Sequence, residues 1–92
     1  MKNKNGFENL KRLSEMPAGG SGKVEKILPE SKIRARLTEL GFNHGERVEC
    51  IMVSPLGDPR GYLVCNAVVA LRCDDAMHIL YIDEKGDCGD EE

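Results

Sequence analysis

Pro29-Glu30-Ser31-Lys32-Ile33-Arg34-Ala35-Arg36-Leu37-Thr38-Glu39-Leu40-Gly41-Phe42 is the stretch that decides the architecture, because it is the clear helix in the chain. Ile33, Leu37 and Leu40 recur at i, i+4 and i+7 and form one apolar stripe. Lys32, Arg34, Arg36 and Glu39 face outward. Glu30 or Ser31 suits the N-terminal end, where a carboxylate or hydroxyl satisfies free backbone N–H groups. Gly41 stands where a left-handed residue ends a helix, and Phe42 can fold back over the last turn.

Outward from this helix the pattern is extended. Lys11–Met16 reads as a short strand with Leu13 and Met16 as its apolar contacts, and Pro17–Gly22 then breaks regular structure. Lys23–Leu28 reads as a strand. After the turn Phe42-Asn43-His44-Gly45, residues 46–54 alternate, with Val48, Cys50 and Met52 on one face and Glu49, Ile51 and Val53 on the other. Pro55-Leu56-Gly57-Asp58-Pro59 is a loop, Arg60–Cys65 a strand, Asn66 a tight turn and Ala67–Leu71 the returning strand. Cys73–Met77 reads as one helical turn capped by an Asp, and His78–Ile82 as the last strand. The expected class is mostly β: a small, strongly bent sheet or partly open barrel with one inserted α-helix and a short helical turn before the last strand. Closure matters, since short strands otherwise leave adhesive edges.

The chain has 92 residues, 40% hydrophobic and 32% charged, with four cysteines and no tryptophan. That length supports one small core, built from Val, Ile, Leu and Met because aromatics are only 4%. The expected organisation is an N-terminal extension over 1–10, one domain over 11–83 and an acidic tail over 84–92. The formal charge is −3, with −5 carried by residues 83–92 (six acidic against one basic) and +2 by residues 1–82 (twelve basic against ten acidic). A nearly neutral body with an acidic end argues against nucleic-acid binding, which needs clustered positive charge. No apolar run approaches the roughly 18 residues of a membrane span, and no secretion signal is visible. The expected location is therefore cytoplasmic, where thiols stay reduced.

Catalytic chemistry finds little support. Pro17–Gly22 followed by Lys23 imitates a phosphate-binding loop, but Val24 occupies the position where Ser or Thr is needed. His44 reads as a solvated turn residue and His78 as a surface or partly buried imidazole. Neither has a nucleophile placed beside it by the sequence. Asp74-Asp75 has sufficient reason in opening a helical turn. Cys50, Cys65, Cys73 and Cys88 form no C-x-x-C pair and fit no standard zinc-finger spacing.

Three segments in order and spacing resemble one family. Arg36-Leu37-Thr38-Glu39-Leu40-Gly41-Phe42 with Gly45 and Val48 resembles its R-L-x-E-L-G-[LF]-x-x-G-x-x-V signature. Residues 55–59 resemble its P-L-G-D-P loop, and Val69-Ala70-Leu71-Arg72 with Ala76 resembles its [IV]-A-L-R-x-x-x-A ending. The family is FeoA, the small cytosolic component of bacterial ferrous iron uptake, whose domain also closes DtxR-type repressors. The resemblance covers about residues 11–83 and implies an SH3-like β-barrel with a helix inserted near its start. It also implies a partner, the FeoB membrane ferrous iron transporter with its cytosolic GTP-binding region. With no DNA-binding helical domain ahead of the barrel, a standalone adaptor fits better than a repressor.

Leu37, Leu40, Gly41, Gly45, Leu71 and Ala76 are explained by packing and chain reversal. The candidates for a partner-binding surface are Pro55, Leu56, Gly57, Asp58, Pro59, Arg60 and Arg72. Asp58 and Arg72 either cap backbone groups or face the partner, since a charge buried without a partner is costly. A sharper form makes Arg60 a group that stabilises charge during phosphoryl transfer on the partner. The alternative reading is a sensor or carrier of Fe(II) or Zn(II) using Cys50, Cys65, Cys73 and His78. No cofactor is required by the adaptor reading.

Overall fold

Six strands and two short helices account for most of residues 10–83, the part of the chain that the computed structural model describes. The strands are β1 (Leu10–Arg12), β2 (Ser21–Ile27), β3 (Arg47–Val53), β4 (Arg60–Val64), β5 (Ala67–Leu71) and β6 (Ile79–Asp83). Helix α1 (Arg34–Leu40) lies between β2 and β3, and the single turn α2 (Cys73–Ala76) between β5 and β6. All pairings are antiparallel, in the order β1-β6-β2-β3-β4-β5. The sheet is not closed: β1 and β5 are its two edges. The mostly-β, partly open architecture with one inserted helix is therefore the one observed. The 1–9 stretch and the 84–92 tail with Cys88 lie outside the described residues.

Side chains hold the open seam between the edge regions. Tyr62 on β4 is fully buried, and its hydroxyl donates to the carbonyl of Leu13 at 2.8 Å. Arg60 Nε donates to that same hydroxyl at 2.8 Å, and its Nη2 donates to the carbonyl of Met16. In the middle of the sheet the β2–β3 ladder runs on past Ser21: Gly19 N–H donates to Cys50 O at 2.7 Å, and Cys50 N–H to Gly20 O at 2.9 Å. A sheet that does not pair its edges is thus tied across by one buried Arg–Tyr pair.

Several local expectations are corrected. Residues 13–15 form a 3₁₀ turn rather than continuing a strand. A strand would have sent Leu13 and Met16 to opposite faces, being three residues apart, whereas a 3₁₀ turn stacks i and i+3 on one side. Both are buried in the core. Strand β2 starts at Ser21, inside the expected break. Gly22 belongs there because a Cβ on it would stand 2.5 Å from both Ile82 O and Tyr81 Cδ2, so only glycine lets β2 lie against that ring.

Helix α1 begins at Arg34, later than the Pro29–Ser31 start expected from its apolar stripe. Ser31 N–H donates to Leu28 O at 3.1 Å and Ile33 N–H donates to Ser31 Oγ at 3.3 Å, so the serine closes a turn of its own ahead of the helix. Leu37 is wholly buried, and Ile33 and Leu40, partly buried, pack against the same core cluster. The helix ends as expected, with Gly41 at φ +115° and the buried Phe42 donating its N–H to Leu37 O at 3.0 Å. In β3, a bulge between Cys50 and Met52 reverses the expected alternation. Met52 turns out to solvent and Val53 packs against the core. Cys65 is part of the hairpin turn, not the strand: it and Asn66 have φ of 51° and 63°, the signature of a type I′ turn.

Candidate functional site

The loop between β3 and β4 is rigid for reasons visible in its residues. Pro55 fixes φ in the second position of a turn, and Gly57 N–H donates to Ser54 O at 2.7 Å. Gly57 sits at φ +87°, a region that favours glycine. Below it, Ser54 N–H donates to Pro59 O at 3.2 Å. The turn lifts Leu56 away from the domain, leaving it 94% exposed, the most exposed large apolar side chain among the described residues.

A second set of bonds locks this loop to α2. Asp58 Oδ1 accepts the N–H of Cys73 at 3.0 Å, and the Cys73 thiol donates to Gly57 O at 3.1 Å. The expected cap from an Asp within α2 is not what is found. The residue ahead of the helix is Arg72, which makes no side-chain cap, and Asp58 performs the task from a loop distant in sequence. An acidic group over a helix N-terminus is favourable both as an acceptor and through the peptide dipoles.

Arg72 is exposed and links two depressions. One of about 250 Å³ is lined by Asp58, Pro59 and Arg72. The other, of about 420 Å³, is lined by Lys32, Arg72, Asp74, Asp75, Met77 and His78. Pro55, Leu56, Asp58, Pro59 and Arg72 thus share one end of the molecule. Arg60 does not belong to that surface: only 8% of it is exposed, and its guanidinium points inward to Tyr62 and Met16. Its placement as a surface group acting on a partner's phosphates is corrected, since a side chain tying the seam cannot swing outward without leaving buried acceptors empty. Sequence patterning could have hinted at this, as Arg60, Tyr62 and Val64 alternate onto the face that is buried.

The remaining expected positions serve the frame. Leu71 and Ala76 are buried. Gly45, at φ +89°, donates its N–H to Val24 O at 2.8 Å. Gly41 lies so close to the β4–β5 hairpin that a Cβ would stand 2.7 Å from Cys65 Sγ. A larger depression of about 480 Å³ runs along residues 15–21 to Tyr81 and Asp83. Spacing gives no hint of it, because the sequence pattern over residues 11–16 predicts a strand where the chain makes a 3₁₀ turn.

The thiols and imidazoles sit on separate elements. Cys50 is buried and donates to Met52 O at 3.6 Å. Exposed Cys65 reaches Glu46 Oε1 at 3.6 Å, Cys73 is held by the loop, and His78 borders the second depression. His44 Nδ1 lies 3.0 Å from Glu25 O in its exposed turn. Desolvation, and then the neighbouring Glu46 carboxylate, push the Cys65 thiol up. Among the described residues, no three of His, Cys, Asp and Glu converge as a metal-holding group.

Comparison with known proteins agrees with this frame. The FeoA domain model matches residues 11–81. A curated relative from Porphyromonas gingivalis, the "Fe(2+) transport protein A/Fe(2+) transporter FeoB fusion protein", is 34% identical over 68 residues. That match takes in 74% of this chain but only 8% of the relative's length. Among solved structures, the FeoA-like protein of Clostridium acetobutylicum superposes with a TM-score of 0.76 at 28% identity, covering 83% of this chain and 88% of that one. Zinc-complexed FeoA of Stenotrophomonas maltophilia, described as a prokaryotic SH3 domain protein, gives 0.70 at 33% identity, covering 82% and 92%. Sheet order, inserted helix and the match across residues 11–81 converge, and the chain belongs to the FeoA family.

Proposed function

We propose that this chain works in ferrous iron transport as a cytoplasmic adaptor that docks on the cytosolic region of a FeoB-type transporter and tunes it by contact rather than by chemistry of its own. The observation that carries the reading is the clamped 54–59 loop, which holds a fully projecting Leu56 beside Asp58, Pro59 and Arg72. An exposed apolar side chain on a preorganised turn loses little conformational freedom on binding, so most of its burial is available to affinity. The fusion of a related sequence to a FeoB transporter in one Porphyromonas gingivalis polypeptide supports the choice of partner. Iron in this reading is the transporter's cargo. Among the described residues, Cys50, Cys65 and Cys73 do not gather into a group that could hold it.

The test is binding to the purified cytosolic region of FeoB from the same genome, nucleotide-free and loaded with GDP or a GTP analogue. Burying a leucine contributes about 1.5–3 kcal/mol, so Leu56→Asp is expected to weaken binding at least about tenfold. Its melting temperature is expected to stay within about a degree or two of the parent, since the side chain touches little of its own domain. Equal affinity of parent and variant, or binding in none of the nucleotide states, would overturn the proposal.

A further inference from the structure

The edge strand β5 reads Ala67-Val68-Val69-Ala70-Leu71, with no charge, no proline and no bulge in its pairing with β4. Edges of this kind are normally blunted by Lys, Pro or a bulge because they attract other strands. The hairpin geometry fixes which backbone groups are free. In a two-residue type I′ hairpin the flanking pair, Val64 with Ala67, exchanges hydrogen bonds, as do alternate pairs beyond it, Tyr62 with Val69 and Arg60 with Leu71. Val68 and Ala70 therefore turn their N–H and C=O groups toward the open edge. Their side chains are also exposed, Val68 by 66%. These share the outer face of the sheet with Leu63, Gly61 and the exposed Ile51.

We propose that this edge pairs antiparallel with β5 of a second copy of the chain, about a two-fold axis through Val69. In that register Val68 of one copy faces Ala70 of the other and vice versa, so each free N–H meets a free C=O and the pairing is self-complementary. Residues directly opposite share a face, so the apolar outer surface runs unbroken from one copy into the next. Arg72 falls opposite Asn66 rather than opposite its own counterpart, and no like charges meet. A segment of some other protein would not need this symmetry, whereas a second copy does.

The full chain is examined by sedimentation velocity from about 10 µM to about 1 mM, with reductant present so that Cys65 beside the edge cannot crosslink copies. A reversible monomer–dimer equilibrium is expected, with amide exchange at Val68 and Ala70 slowing as concentration rises. Ala70→Pro removes a donor that points away from β4, which an edge strand tolerates. It and Val68→Lys are each expected to weaken the dimer at least about tenfold. If Ala70→Pro fails to fold by circular dichroism, Val68→Lys, which alters only an exposed side chain, decides. A parent that stays monomeric throughout, as it would if another segment of the same chain covered the edge, overturns the proposal. So does a dimer that a folded edge variant leaves unchanged.

Discussion

Replacing Tyr62 by Phe keeps the ring and removes only a hydroxyl, so it isolates the polar tie across the open seam. In the parent this hydroxyl donates to Leu13 O at 2.8 Å and accepts from Arg60 Nε at 2.8 Å, wholly out of solvent. Without it, the Leu13 carbonyl loses a partner in a buried place, a loss of about 1–3 kcal/mol, and the bond from the charged guanidinium is of similar size. Since both fail together they do not simply add, and about 3 kcal/mol is expected. For a domain of this size each kcal/mol moves the melting temperature by about 4–8 °C, so a fall of at least about 12 °C should be read by circular dichroism.

The same residue predicts an alkaline signature. Burial, opposed by the hydrogen bond and charge of Arg60, pushes the Tyr62 phenol up from 10.0 to about 12. The folded protein then keeps a proton that the unfolded chain releases, so stability is fully present below pH 10.0 and falls as pH rises towards about 12. The slope from this one group is about 1.4 kcal/mol per pH unit. Tyr62→Phe should flatten the decline by that amount, leaving a residual slope from Tyr81, whose phenol burial also pushes up. A Phe variant within about 0.5 kcal/mol of the parent by urea unfolding, with an unaltered alkaline limb, would refute the claim that this pair holds the seam.

Two further substitutions probe the frame. Asp58→Ala removes the cap on α2 and should cost about 1 kcal/mol, lowering the melting point by about 4–8 °C, whereas Asp58→Asn, which retains an acceptor oxygen, should recover most of it. An Ala variant as stable as the parent would show that the Cys73 N–H does not depend on this oxygen. Gly22→Ala drives a Cβ to 2.5 Å from Ile82 O and Tyr81 Cδ2, one of them backbone, and should destabilise by about 1–3 kcal/mol or more. A lowered urea midpoint with an unchanged transition slope is the expected result, and an unchanged midpoint would count against that close approach.

What could be read in the sequence depended on whether the determinant was local. The stripe Ile33–Leu37–Leu40 and Gly41 specify a helix and its end within one segment, and both are where periodicity puts them. The β4–β5 hairpin is equally local, although the turn takes Cys65 as well as Asn66. The 3₁₀ turn at Leu13–Glu15 is set instead by where the rest of the core lies, which no window of neighbours contains. The Asp58–Cys73 bond joins residues 15 apart, and the Arg60–Met16 bond residues 44 apart. Asp58 and Arg60 lie two residues apart, and both are candidates for the same surface in sequence. Burial separates them: one caps a neighbouring turn at the surface, and the other is enclosed.

On the docking reading proposed above, that separation lets the contact residue change in sequence while the frame that presents it holds. The groups that make the 54–59 loop rigid, namely Gly57, Asp58 and the thiol and N–H of Cys73, bond to each other and leave Leu56 uninvolved. Position 56 can therefore vary with the partner at almost no cost in folding, while its neighbours hold the turn that presents it. On the same proposed reading the reverse holds at the seam, where Arg60 and Tyr62 would affect docking only through the stability of the frame. A variant at the seam should lower melting temperature and binding together, and one at Leu56 should lower binding alone. Measuring both quantities on the same variants distinguishes a docking loop from a structural one, because a structural loop could not lose affinity while its domain melted unchanged.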